Sequence, residues 1–170
     1  MNIIEEKVED KVKQTLKDLG LRFYAKSESI NSEIDKALKL FPSKSGGDGG
    51  NYPDIKLLID DIPVMIEIKG DTDFIRKCKF TNNGLELDMS KYAIQKYATN
   101  GAIHYGLAIL THTHYDKCIA IGIGGNMFND LFPWSYLIER SKPIKILEDV
   151  TNKHDLSYLK DLKNYLLNIK

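Results

Sequence analysis

Asp54, Lys56, Glu67 and Lys69 are the residues of this chain whose types and spacing could do chemistry together. The stretches Asp54 to Ile59 and Val64 to Lys69 alternate apolar with other side chains at a period of two, and Asp60-Asp61-Ile62-Pro63 lies between them. Two strands joined by a tight turn are the natural reading. With the turn centred on Asp61 and Ile62, antiparallel pairing sets Asp54 opposite Lys69 and Lys56 opposite Glu67. The alternation gathers those four on one face and leaves Ile55, Leu57, Ile59, Val64, Ile66 and Ile68 on the other, which pins the register. Two carboxylates and an ammonium at one end of a buried hairpin are costly unless they pair or bind a cation. Carboxylate oxygens suit a hard cation such as Mg²⁺ or Mn²⁺, one or two per site, whereas zinc would call for His or Cys. Such a cation polarises a phosphoryl oxygen and activates water; Lys69 would orient or deprotonate that water and offset the developing charge. The chemistry implied is metal-assisted phosphodiester hydrolysis.

The bare pattern acid-x-Lys is weak evidence, because it occurs five times: at Glu5, Glu9, Asp54, Glu67 and Asp161. Only Glu67-Ile68-Lys69 ends an apolar strand, is followed by Gly, and is preceded by a Pro-Asp strand start at Pro53-Asp54. The competing reading is a surface hairpin laced by cross-strand salt bridges.

The elements that must position these residues can be read from periodicity. Ile4, Val8, Val12, Leu16 and Leu19 recur at helical spacing and Gly20 follows, so residues 3–19 form an amphipathic helix. A second helix is expected from Ile30 to Phe41, capped by Asn31 or Ser32 and ended by Pro42. Ser43 to Asn51 is a flexible, Gly-rich loop, and a small hairpin is expected over Lys79 to Asp88 around Asn83-Gly84. Residues 89–112 read as helix with Ser90 as cap and a bend at Asn100-Gly101. Cys118 to Gly124 reads as a buried strand, Trp134 to Ile138 and Ile144 to Leu147 as further strands, and residues 155–168 as a terminal helix. A single α/β domain with a mixed sheet flanked by helices follows.

In Pro53-Asp54, twelve intervening residues, then Glu67-Ile68-Lys69, with a helix and Gly-rich loop before and a helix then a strand after, the chain resembles the PD-(D/E)xK nuclease superfamily, the restriction-endonuclease-like fold. The resemblance implies that Asp54 and Glu67 hold a divalent metal, that the main-chain carbonyl of Ile68 adds a ligand, and that Lys69 is catalytic. Many members add a Glu on the preceding helix, and Glu33 matches it; otherwise Glu33 is a first-turn acid complementing the helix dipole. A Gln-x-x-x-Tyr pair supports the site in related nucleases. Here Gln95 sits suitably but Thr99 stands where the Tyr would be, so Tyr92, Tyr97 and Tyr105 read as packing. The runs Lys96 to Tyr105 and Ile119 to Gly124 look like the N-terminal nuclease domain of restriction–modification enzymes fused to an adenine-N6 methyltransferase, of the type IIG or type I-like kind. The expectation is a Mg²⁺-dependent endonuclease domain, residues 1–170, the N-terminal piece of a longer cytoplasmic, prokaryotic enzyme. Its partners would be double-stranded DNA, fused methyltransferase and recognition modules, and a transient second copy for double-strand cleavage. The rivals are a nuclease-like module that binds DNA or a partner without cutting, and a structure-selective nuclease such as a junction resolvase.

Composition bounds these readings. The 170 residues carry 24 Lys+Arg against 24 Asp+Glu, a formal net charge of +0 that argues against a small nuclease gripping DNA tightly by itself. No segment is a basic arm, and no apolar run approaches the roughly 18 residues that span a bilayer. Cys78 and Cys118 form no CxxC pair, which suits a reducing compartment. His104, His112 and His114 lack a Cys or carboxylate at zinc-ligand spacing and read as exposed helix-end residues. Lys44 and Lys56 could reach phosphates or be merely solvated, and Trp134 with Phe132 and Tyr136 reads as core.

Overall fold

In the computed structural model, which describes residues 3–47 and 49–169, six strands form one mixed sheet with helices on both faces. Asp48 of the expected Gly-rich loop lies outside the described residues. In chain order the elements are α1 (Ile3–Asp18), β1 (Tyr24–Ala25), α2 (Ser32–Leu40), β2 (Ile55–Ile59), β3 (Ile62–Lys69), β4 (Cys78–Thr81), β5 (Gly84–Leu87), α3 (Lys91–Lys96), α4 (Ala98–His112), β6 (Lys117–Gly125), β7 (Leu131–Glu139), β8 (Lys145–Ile146), α5 (Glu148–Asn152) and α6 (Leu162–Asn168). The sheet order is β1-β2-β3-β6-β7-β8, with β4 and β5 forming a separate two-stranded ribbon. The β3–β6 pair is parallel, joined through the ribbon and helices α3 and α4, and the remaining pairs are antiparallel. This mixed α/β architecture is compatible with a restriction-endonuclease-like fold.

The alternation of the central hairpin divides the core in two. Ile55, Leu57, Val64, Ile66 and Ile68 join Ile119, Ile121 and Ile123 of β6 and pack against Val8, Val12 and Leu16 of α1. Met65, Cys118 and Ala120 face the other way, toward Ile34, Ala37 and Leu38 of α2 and Ile103, Tyr105 and Ile109 of α4. Each fully buried branched side chain contributes about 1.5–3 kcal/mol relative to exposure, so a register slip by one residue would forfeit both cores.

The register differs from the sequence expectation by two residues. Ile59 pairs with Ile62, so the turn is Asp60-Asp61, not Asp61-Ile62. Both aspartates take the left-handed conformation, at φ 50° and 65°, as a two-residue hairpin turn requires. Asp tolerates that region; a β-branched Ile at the second turn position would be strained there. Since the slip is even, the division of faces stands. Its consequence is that Lys56 pairs with Met65, and one step beyond the Ile55–Ile66 pair Asp54 meets Glu67.

The second departure lies in the expected 89–112 helix, which is two helices broken at Tyr97 (φ −113°, ψ 135°) rather than one bent at Asn100-Gly101. Asn100 is a staple: its buried amide donates to the carbonyls of Lys77 (2.9 Å) and Asp88 (2.7 Å) and accepts from Lys77 N (3.0 Å), tying the β4–β5 ribbon to α4. The terminal helix is also shorter than expected, with a 3₁₀ turn at Ser157–Asp161 preceding α6, and α5 and the two-residue β1 are additional.

Gly122 explains how α4 reaches the sheet. A Cβ there would lie 2.2 Å from the backbone nitrogen of Thr99, so only glycine lets the first turn of α4 rest on β6. Gly122 is also the residue of β6 paired with Glu67, which brings α4 over the charged end of β3.

Candidate active site

Asp54 and Glu67 are side by side on the α2–α4 face of the sheet, both with less than a tenth of their surface exposed. Asp54 is held from two directions. Its Oδ2 accepts the main-chain amide of Ile68 at 2.9 Å, and its Oδ1 faces Lys26 Nζ at 3.2 Å. The Asp54 amide donates to Glu67 Oε1 at 3.3 Å, and Glu67 Oε2 takes both the Tyr105 hydroxyl (3.0 Å) and the Lys44 ammonium. The two carboxylates thus take five donors: the main-chain amides of Ile68 and Asp54, the Tyr105 hydroxyl and two lysine ammonium groups.

The electrostatics separate the two acids. Burial first, and the adjacent Asp54 charge second, push Glu67 up to about 7, against the opposing pull of Lys44. Burial also raises Asp54, but hydrogen bonding with Glu67, the Ile68 amide and the Lys26 charge together hold it below the usual carboxylate value. Lys26 is depressed by burial yet raised overall by the Asp54 charge and hydrogen bond, with Glu67 adding to it. Burial, then the Glu67 charge, hold the Tyr105 phenol well above its ordinary value, which keeps it a donor to Glu67. Two carboxylates this close favour the protonated form of one of them, here Glu67.

Lys69 ends β3 beside Gly124 of β6, half-buried, on the face of Glu67. Among the described residues its side chain makes no hydrogen bond and no ion pair, unlike Lys26 and Lys44. The side chain of Ile68 belongs to the α1 core, so its main chain alone meets the site.

Other expected site residues lie elsewhere. Glu33, on the first turn of α2, accepts the His114 amide at 2.7 Å and faces His114 Nδ1 at 2.6 Å, and the His114 amide above all holds its carboxyl low. His114 Nε2 is 3.9 Å from Asp61, so Glu33 sits by the turn of the hairpin. Glu67 is five residues along β3 from Ile62, roughly 17 Å away at the strand rise. Among the described residues no group of three or more His, Cys, Asp and Glu is placed to hold a metal ion. Gln95 is exposed on α3 and makes no hydrogen bond among the described residues. Thr99, in the position a supporting Tyr would take, is fully buried with its hydroxyl unpartnered.

Lys56 does not reach solvent. It is 4% exposed and donates to the main-chain carbonyls of Lys26 and Glu28, and burial lowers its pKa. It fixes the segment that presents Lys26. His104 is buried within α4, with Nε2 2.7 Å from the Pro42 carbonyl, rather than at a helix end. Trp134 is partly buried under the Arg76 guanidinium, 4.0 Å from its ring centre. Cys78 and Cys118 are free thiols.

Three supports were not legible as such in the sequence. Lys26 follows a strand of two residues, too short to carry a periodic signal. Tyr105 lies one helical turn beyond Gly101, whose missing Cβ leaves room for the Lys44 stem (3.3 Å) and Glu67 (3.6 Å); that glycine–tyrosine spacing was the available clue. Asn51 closes the Gly-rich loop: its buried amide donates to the carbonyls of Leu38 (2.9 Å), Phe41 (3.2 Å) and Pro42 (3.2 Å), and its Oδ1 accepts the Lys44 amide (2.8 Å).

The chain is similar to a curated protein described as the type II restriction enzyme and methyltransferase RM.BcgI of Heyndrickxia coagulans. The two are 28% identical over 145 residues, which is 82% of this chain and 22% of the relative. The chain spans about a fifth of the length of that relative. No family model matches the chain, and no solved structure matches it. Among the described residues no helix is long and apolar enough to cross a membrane.

Proposed function

We propose that this chain is a Mg²⁺-dependent DNA endonuclease domain of a restriction–modification system, working within a longer enzyme whose other parts recognise and methylate DNA. The observation that carries the reading is the Asp54–Glu67 pair, whose outward oxygens are both taken by lysine ammonium groups. Those ammoniums mark where cationic charge is needed. The distant relationship to a restriction enzyme and methyltransferase supports the DNA substrate and the fused modules.

The donor set fits the ion. Mg²⁺ is commonly held by one or two carboxylates together with substrate phosphate and water, so Asp54 and Glu67, with the Ile68 carbonyl, suffice without Glu33. When bound, the ion supplies charge neutralisation at the phosphoryl oxygen and makes water more acidic. Asp54 is oriented by the Ile68 amide and Glu67 by the Tyr105 hydroxyl, so neither carboxylate must reorganise much to accept it. Lys69 extends from the strand end with no competing partner among the described residues, free to take or steer a proton at the attacked phosphate and to offset its charge.

The test is plasmid cleavage in Mg²⁺ by wild type, Lys69→Ala and Asp54→Asn, with EDTA as control. Nicking or linearisation by wild type, lost in both variants and in EDTA, is expected. Equal cleavage by wild type and Lys69→Ala would overturn the assignment.

A further inference from the structure

Lys44 holds Glu67 from a loop built around it. Its main chain is anchored, because Asn51 Oδ1 takes the Lys44 amide at 2.8 Å and Asn51 is itself bound to three carbonyls. Its stem runs 3.3 Å from where a Cβ on Gly101 would lie, and its ammonium lies 5.5 Å from the centre of the Tyr105 ring. The side chain therefore has a fixed base and a partner that a divalent cation would compete for. Beyond it the loop continues as Ser45-Gly46-Gly47, exposed, with Gly46 at φ 79°.

A metal-binding carboxylate and a phosphate compete for the same ammonium. While Lys44 is on Glu67 it neutralises the carboxylate and is unavailable to DNA; once a cation takes Glu67, repulsion turns the ammonium away. Rotation about its four side-chain torsions suffices to move it, since the backbone stays fixed by Asn51. A phosphate of bound DNA would be its alternative partner.

We propose that Lys44 is a latch. It occupies the cation position on Glu67 in the metal-free chain and passes to a DNA phosphate when a divalent ion binds, so that metal and DNA bind cooperatively. Lys26, exposed over Asp54 with 57% of its side chain open, is the equivalent group on the other carboxylate. The coupling is reciprocal by thermodynamic necessity. This inference rests on the proposed nuclease reading and adds a positioning role for a lysine outside the strand motif.

The test measures binding rather than turnover, using the chain and a short DNA duplex with Ca²⁺, which shares the oxygen preference of Mg²⁺. Ca²⁺ affinity without DNA and DNA affinity with Ca²⁺ or EDTA are compared in wild type, Lys44→Met and Lys44→Arg. Lys44→Met is expected to bind Ca²⁺ about tenfold more tightly, and Ca²⁺ to tighten DNA binding less in it than in wild type. The salt dependence of DNA affinity should lose about 0.9 of a log–log slope unit in Lys44→Met when Ca²⁺ is present, the change due to one phosphate contact, and none in EDTA. Lys44→Arg should restore that slope. If wild type binds both Ca²⁺ and DNA while Lys44→Met matches it in all arms, or loses the same slope in EDTA, the latch is wrong and the nuclease reading stands. If wild type binds neither, both fall.

Discussion

Glu67 accepts the main-chain amide of Asp54 at 3.3 Å, while Asp54 accepts the amide of Ile68, the residue after Glu67, at 2.9 Å. Each acid is thus held by the main chain of the segment that carries the other.

The first prediction concerns pH. Burial and the Asp54 charge raise Glu67 to about 7 from its ordinary 4.5, so between those values the folded chain binds more protons than the unfolded one. Stability from this group is complete below about 4.5 and is lost as pH rises through about 7. Asp54 runs the opposite way: its lowered pKa contributes stability above its ordinary value that disappears in acid. In EDTA, urea melts should therefore show the wild type losing on the order of 3 kcal/mol between pH 4.5 and pH 8 relative to Glu67→Gln. Parallel pH profiles for the two proteins would refute the coupling. Saturating Mg²⁺ should flatten the wild-type decline, because the ion favours the ionised form.

Tyr105→Phe tests the helix-borne donor. The phenol is held protonated, so it donates to Glu67 whether that group is ionised or not, but the bond is worth most to the charged form. A loss of about 1–3 kcal/mol at pH 8 is expected, and a smaller one at pH 5. Equal losses at both pH values would mean that the tyrosine matters only for packing.

How much of this was readable from sequence follows from where period-two alternation is strong. The hairpin, its two faces and the Asp54–Glu67 set were legible because a wholly apolar row, Ile55 to Ile68, admits no odd slip. The two-residue shift in register was not, since it preserves the faces and depends on two aspartates taking left-handed backbone. Lys26 and Tyr105 escaped for another reason: their partners Asp54 and Glu67 lie 28 and 38 positions away in sequence, and no local period encodes such contacts. Asn51 reaches only 7 to 13 positions back, but from within a loop that has no period to read. Glu33 shows the reverse case. It stands where the resemblance would put a metal-binding Glu along the chain, yet α2 aims it at His114 beside the hairpin turn.

That placement predicts that Glu33→Gln keeps the metal response. Mg²⁺ should raise the melting temperature of Glu33→Gln as much as that of wild type, whereas Asp54→Asn should lose the rise. Ligand that saturates at one hundred times its dissociation constant adds about 2.7 kcal/mol, enough to read in a thermal scan. If Glu33→Gln alone abolished the rise, α2 would have to reach the far end of β3 in the metal-bound chain.

Gly122→Ala probes the seat of α4. The added Cβ would lie 2.2 Å from the Thr99 nitrogen, 2.3 Å from its hydroxyl and 2.4 Å from its Cα, so the backbone of the helix, not a flexible side chain, must yield. Thr99 N also donates to the Ile75 carbonyl at 2.8 Å, a bond the same displacement would stretch. Overpacking of this kind costs about 1–3 kcal/mol and occasionally more. Because Gly122 pairs with Glu67 in the β3–β6 ladder, the shift also carries Tyr105 away from the carboxylate. Gly122→Ala should therefore lower both folding stability and Ca²⁺ affinity. Gly47→Ala, at a position where an added Cβ meets nothing within 4 Å, should change neither. Wild-type stability in Gly122→Ala would show that α4 is not seated on β6 through this contact.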